Sequence, residues 1–436
     1  MAGGSKMNDC LEGMQRALMR RSVVNRYPKL LALAIILSLA GCDATTERVT
    51  QIPEEANPEK LSAWSSVWVE AGALHLADDA EIYDLASPLF SDYAAKLRTL
   101  RLPSGSQVAL DPESNQFVYP VGTVITKTFY YDRVTDSERL DFRFMTTENP
   151  KLAVAQSLDL NGRTLLETRV LVKRQGGWQA LPYVWNQDQT EAVLSPTGAL
   201  VRASLARAGV SEDFVYIVPN RNQCAGCHAS GQAERALKPI GPHPKNLQNV
   251  AAGTQELDRF AARGWLSSED QKAASLGAKN VNWQDSSQSL AHRARSYLDI
   301  NCAHCHSATG PADTSGLYLD IATDHATRWG VCKAPIAAGQ GTGGAQFSIV
   351  PGDPDASIMT YRLESTDPGA MMPELGRSLV HDEGADLIRA WISEMAGDCR
   401  QTNELKVTSM SAMRSDPAAV FAWRDNSGIA SLMPGH

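Results

Sequence analysis

Residues 61–218 alternate like strands and residues 219–399 carry helical periods. The chain therefore reads as multidomain α+β: a β-rich N-terminal domain, a sandwich or small barrel, followed by a mostly α-helical region. Three stretches carry this reading. TVITKTFYYD (123–132) is dense in β-branched and aromatic residues. In TLLETRVLVKR (164–174), Leu166, Thr168, Val170 and Val172 alternate with Glu167, Arg169 and Lys173, which predicts one buried face and one wet face. In EGADLIRAWISEMAG (383–397), Leu387, Ile388, Trp391, Ile392 and Met395 form one helical stripe, and Gly397 is placed to cap it.

The first segment is an export signal. Arg20, Arg21, Arg26 and Lys29 precede the apolar run Leu30–Leu39, which is too short to span a bilayer and ends in LAGC at 39–42. Met19 would open a tidier signal than Met1 and is the expected start. LAGC resembles a bacterial lipobox. The resemblance implies a signal peptide over 1–41, cleavage before Cys42, and acyl chains on Cys42 that anchor the protein to a membrane. Asp43 behind that cysteine implies the inner membrane. Residues 42–60 are polar with two prolines and read as a tether.

The whole chain has 41 basic and 49 acidic residues. Removing 1–42 takes six and two of them, leaving a net charge of −12. That argues against nucleic acid and favours partners with basic docking faces. Export also sets an oxidising compartment for the eight cysteines. Cys10 leaves with the leader, Cys42 takes lipid, and Cys332 and Cys399 are left free to pair.

Within 61–218, WQALPYVWN (178–186) follows the Gly176–Gly177 turn and predicts a hairpin. The charges of this domain form no catalytic grouping and read as a solvated strand face. After residue 218 the pattern changes. Residues 219–285 hold QCAGCH (223–228), the Pro/Gly-rich loop LKPIGPHPKN (237–246), and helical stretches near 254–264 and 267–276. Residues 286–399 open with SLAHRARSYLDIN (289–301), a helix that runs into NCAHCH (301–306). The tail 400–436 has no period.

The two Cys-x-x-Cys-His runs, Cys224–Cys227–His228 and Cys302–Cys305–His306, start 78 residues apart. Two CxxC pairs can bind zinc, but zinc pairs usually lie within about 20 residues of each other. Thioredoxin-like chemistry needs neither a second pair nor a histidine after each. Cys-x-x-Cys-His is the c-type haem attachment signature. Two thiols one helical turn apart add to the two vinyl groups, and the adjacent imidazole takes the iron. The reading is two covalently bound haem c, with His228 and His306 as axial ligands and His304 as a spacer.

DPGAMMPELG (367–376) supplies a thioether for the second iron. Met372, directly before Pro373, is the expected ligand in preference to Met371, and a thioether opposite histidine raises the potential. The first haem has no Met between His228 and Met359. His243, His292, Met145 or an open position remain for it.

Residues 286–399 resemble a monohaem class I cytochrome c domain: a helix into CxxCH, a Met loop, and a closing helix that crosses the first. The resemblance departs at GVCKAPIAAGQGTGGAQF (330–347), a loop that a Cys332–Cys399 disulfide would pin. The wider chain resembles a family of bacterial dihaem c-type cytochromes. PLFSDYAAKLR (88–98), PVGTVITKTF (120–129), ETRVLV (167–172), YVWNQDQTEA (183–192), RARSYLDINCAHCH (293–306), VPGDPDASI (350–358) and MPELGRSLVHDEG (372–384) carry that resemblance. It implies secreted or lipid-anchored electron transfer, and the reading is a periplasmic, lipid-anchored protein that relays electrons between redox partners rather than a catalyst. The alternative is a dihaem peroxidase or oxidase with an open first haem. A zinc-stapled binding module is a third, more distant class.

Overall fold

The computed structural model describes residues 57–134, 141–143, 157–207, 209–231, 236–247, 256–336 and 338–399, all within one compact unit. The leader, Cys42, most of the tether, Met145 and the tail lie outside the described residues.

A nine-stranded sheet organises the β-rich region. Its central strand, Val124–Arg133, pairs antiparallel with Ala95–Arg101 and with Arg163–Arg174. Arg163–Arg174 turns back into Gly177–Trp185, with Arg174 facing Gly177. Gly177 has φ 116°, which a side chain would resist, so the expected hairpin forms where the glycines permit it. Ala192–Leu194 lies beyond Gly177–Trp185. On the other side stand Asp141–Arg143, Ala199–Arg207 and Val210–Val218. Residues 57–60 do not behave as tether: Lys60 bridges Val193, and Tyr183 Oη donates to the Pro58 carbonyl at 2.7 Å.

A three-stranded sheet, Val67–Glu70, Ala73–Leu76 and Ser157–Asp159, covers one face, as in a sandwich. Val67 and Leu74 pack there against Val124, Val170 and Val172, all fully buried. Each such side chain contributes about 1.5–3 kcal/mol by leaving water.

The opposite face departs from the expected wet face. Leu100, Ile125, Leu171 and Ala180 pack against Cys224, Leu257, Phe260 and Trp265 of the C-terminal region. Glu167 is 0% exposed and accepts from Arg169 Nε at 2.8 Å and Tyr216 Oη at 2.7 Å. Alternation marks two faces. It cannot say that a later segment covers the polar one.

Among the described residues the C-terminal region has seven α-helices of four to twelve residues joined by long irregular segments, so a mostly helical region is not confirmed. Leu290–Leu298, capped by Ser289, packs on Asp382–Ser393. The two approach closely because residue 384 is glycine; a Cβ there would lie 2.3 Å from Tyr297 Oη. Ile388 and Ile392 are fully buried at this crossing. The closing helix ends at Ser393 with Glu394 as its cap, ahead of the Gly397 expected. Cys332 and Cys399 are disulfide-bonded. No helix among the described residues is long and apolar enough to cross a membrane.

Asp92 fastens the two regions together. Its buried Oδ1 accepts the backbone N–H groups of Ser378 and Leu379 at 2.7 and 2.8 Å. Burial pushes its carboxyl up to about 6.

Candidate functional site

The first cysteine motif occupies a helix, Arg221–His228, that begins two residues after strand Val210–Val218. Asn220 and Gln223 form a reciprocal capping box, with bonds of 2.9 and 2.8 Å. This fixes the helix start and therefore where Cys224, Cys227 and His228 point. Cys224 is buried against the sheet, and burial pushes its thiol up. Helix Leu290–Leu298 positions the second motif. It loosens into a π turn over Asp299–Ala303, and the His306 N–H then bonds the Cys302 carbonyl at 2.8 Å. Burial pushes the Cys302 thiol up to about 12.

The two predicted imidazole ligands share one tautomer. His228 Nδ1 lies 2.8 Å from the Lys238 carbonyl, which can only accept, so Nδ1 carries the proton. His306 Nδ1 lies 3.3 Å from Ser315 Oγ, and that hydroxyl spends its own proton on the Ala312 carbonyl at 2.6 Å. Nδ1 of His306 is therefore the donor as well. Each ring keeps its Nε2 lone pair for an electrophile, the arrangement metal-bound histidines adopt. Burial is the main reason both rings are pushed down to about 4 and stay neutral.

His243 is built the other way. Its Nδ1 accepts the Lys245 N–H at 3.2 Å, so the neutral ring bears its proton on Nε2 and offers a donor. Burial pushes its pKa down to about 3. Lys245 beside it bonds Asp299 at 2.7 Å and Asp320 at 2.5 Å, tying the 237–246 loop to the π turn. His292 is engaged through Nε2 with the Lys279 carbonyl at 2.9 Å.

The motifs meet. Donor atoms of Cys227, His304 and Cys305 lie within 4.8 Å of one another. Their contact pulls the Cys227 thiol down, first through the hydrogen bond shared with Cys305, while Cys305 is pushed up. His304 Nδ1 is buried without a partner. In the sequence His304 reads as a spacer and nothing signals this contact, because 76 residues of chain separate Cys227 from residue 304. Cys224 and Cys302 stand outside that group, so the two CxxC pairs do not form a four-thiol zinc site.

A cavity of about 550 Å³ opens beside the motifs, within the range of small-molecule sites. Cys224, Cys227, His228, His243, His304 and Met372 are among its lining residues. Met371 is buried, 8% exposed, whereas Met372 is half-buried at the cavity. The lining takes in Met372 but not His306, so this cavity does not show those two as a facing pair. No family model, curated protein or solved structure matches the chain.

Proposed function

We propose that this chain is an exported dihaem c-type cytochrome that passes electrons between periplasmic redox partners. The observation that carries the reading is the shared tautomer of His228 and His306: each follows a Cys-x-x-Cys pair, and each has Nδ1 bonded and Nε2 free. The donor set fits haem c: four thiols for four thioethers, two neutral imidazoles, and an adjoining cavity. Bound haem supplies one-electron iron chemistry. The chain's part is to hold the two attachment turns in contact at Cys227 and Cys305 and to keep both rings unprotonated.

Met372 is proposed as the sixth ligand of the His306 haem, and residues 286–399 as its cytochrome c-like part. His243 is a poor sixth ligand for the first haem, because its Nε2 already carries the ring proton. Protein matured with haem should give two haems per chain by pyridine haemochrome. Cys224→Ala with Cys227→Ala should leave one, and so should Cys302→Ala with Cys305→Ala. A count of one or none in the wild type overturns the reading. The lipid anchor at Cys42 rests on LAGC alone; Cys42→Ser should release the protein from membranes, and unchanged fractionation would refute the anchor.

The peroxidase reading gains one observation: the His243 Nε2–H in the same cavity as His228, backed by Lys245. Peroxide turnover with an electron donor, lost in His243→Leu, would favour it over the relay.

A further inference from the structure

Three cations stand in a row across the sheet beside the first motif. Register places Arg98 opposite Lys127 and Lys127 opposite Arg169, on the face that also carries Leu100, Ile125 and Leu171. All three line the cavity with Cys224 and His228. Like charges directly opposite in a sheet destabilise it, and burial raises the cost.

Arg169 is compensated by Glu167, which takes its Nε and Nη2 at 2.8 and 2.6 Å. Among the described residues no carboxylate bonds its neighbours, although Asp84 acts on Arg98 and Glu167 on Lys127 through their charge. Arg98 is 3% exposed, and neither Nη1 nor Nη2 meets a hydrogen-bond partner. The groups that act on it are Tyr83, Asp84 and Tyr130. Lys127 Nζ lies 4.9 Å from the Phe129 ring centroid, and burial together with Arg98, Arg169 and Lys96 holds its ammonium well below the ordinary range. Lys96, a fourth cation on this face, donates to the Ala94 carbonyl at 2.9 Å.

We propose that Arg98 and Lys127 form a receptor for paired carboxylates, the two propionates of the haem held at Cys224, Cys227 and His228. This rests on the haem reading above. The direction of the row suits it. Arg169 is close enough for its charge to act on Cys224, and Lys127 does the same to His228. From Arg169 the row runs across two strand spacings, about 10 Å, to Arg98. The thiols take the vinyl edge of a porphyrin, and the propionates leave from the edge across the ring. A guanidinium with both terminal nitrogens unpaired matches a carboxylate in a two-point fork. The same chemistry would suit a free oxyanion, so the test separates the two sources.

The full-length protein is matured in a background where Cys302→Ala and Cys305→Ala leave the first haem alone, and the haemochrome is counted first. With one haem present, Arg98→Leu and Lys127→Met should each raise the ferric-to-ferrous ratio at a fixed potential about tenfold, 59 mV for one electron, because losing a cation favours the ferric state. Arg98→Lys and Lys127→Arg should recover most of the shift, which a purely structural role would not require. Should Arg98→Leu fail to fold, Lys127→Met carries the test, since Lys127 is half-buried. Nitrite that leaves the parent potential unchanged supports the propionates. A nitrite-induced shift abolished by Lys127→Met overturns them in favour of a free oxyanion. A haem-bearing protein whose potential moves with neither substitution nor nitrite overturns the receptor. Absence of haem overturns the underlying function instead.

Discussion

The two Cys-x-x-Cys-His turns are built from nearly the same six residues and stand in opposite surroundings. The first rides a short capped helix against a sheet face that carries a row of cations. The second hangs from the longer helix Leu290–Leu298, which packs on the closing helix Asp382–Ser393. In both, Nδ1 of the histidine is tied to an oxygen of a nearby loop, Lys238 or Ser315. The local motif thus sets the donor set and the ring tautomer, and the fold around it sets the electrostatics. Two copies of one motif need not behave alike.

The strongest way to break this contrast is to cut the staple in the region that carries the second turn. The Cys332–Cys399 bond closes 67 residues of chain. Cys332→Ser with Cys399→Ser should cost about 4 kcal/mol on the chain-entropy account. Chemical denaturation measures it, and the haem count should stay at two. A loss near zero would mean that this region is held without the bond.

A sharper cut separates the paired methionines. Met372→Ala should lower the potential of the second haem and abolish the weak far-red sulfur-to-iron band of its oxidised form. Met371→Ala should keep that band and cost about 2–5 kcal/mol of stability, as expected for a buried methionine truncated in place. The reverse pattern would reassign the ligand to Met371.

The smallest expected effect concerns pH, at the seam between the regions. His381 stacks on Phe90 at 4.1 Å, and its Nδ1 lies 3.0 Å from Tyr297 Oη. Burial first, then the cations Lys96, Arg207 and Arg377, push its pKa down to about 3, while Glu383 stands 3.8 Å from Nε2. The folded value lies below the unfolded one, near 6.5, so the unfolded chain binds more protons in between. Stability from this group is complete above pH 6.5 and is lost as pH falls toward 3. Melting temperatures between pH 8 and pH 4 should fall less steeply in His381→Phe than in the wild type. Equal slopes would remove His381 from the account.

The strands, the hairpin, the helix into the second motif and the pairing of Cys332 with Cys399 were legible because periodicity, turn glycines and cysteine arithmetic are local signals. The motif residues were legible for the same reason. What escaped was contact between distant segments. Glu167 and Arg169 read as a wet face because nothing in an alternating strand says that Tyr216 will bond Glu167 or that a later segment will pack beside Leu171. A clue was present in Lys127, which shares a face with Ile125 and Phe129 in the middle of an apolar strand. A cation there needs an unusual neighbour. The Cys227–His304–Cys305 contact had no such clue, since it depends on how two helices dock.

That contact has a consequence for assembly. In the closed fold, the sulfurs of Cys227 and Cys305 face each other, and an oxidising compartment would join two such thiols if they met bare. On the haem reading proposed above, loading and closure therefore compete for the same atoms. On that reading, whatever modifies these cysteines must reach the first turn before the second docks against it, so the order of events matters as much as the final geometry.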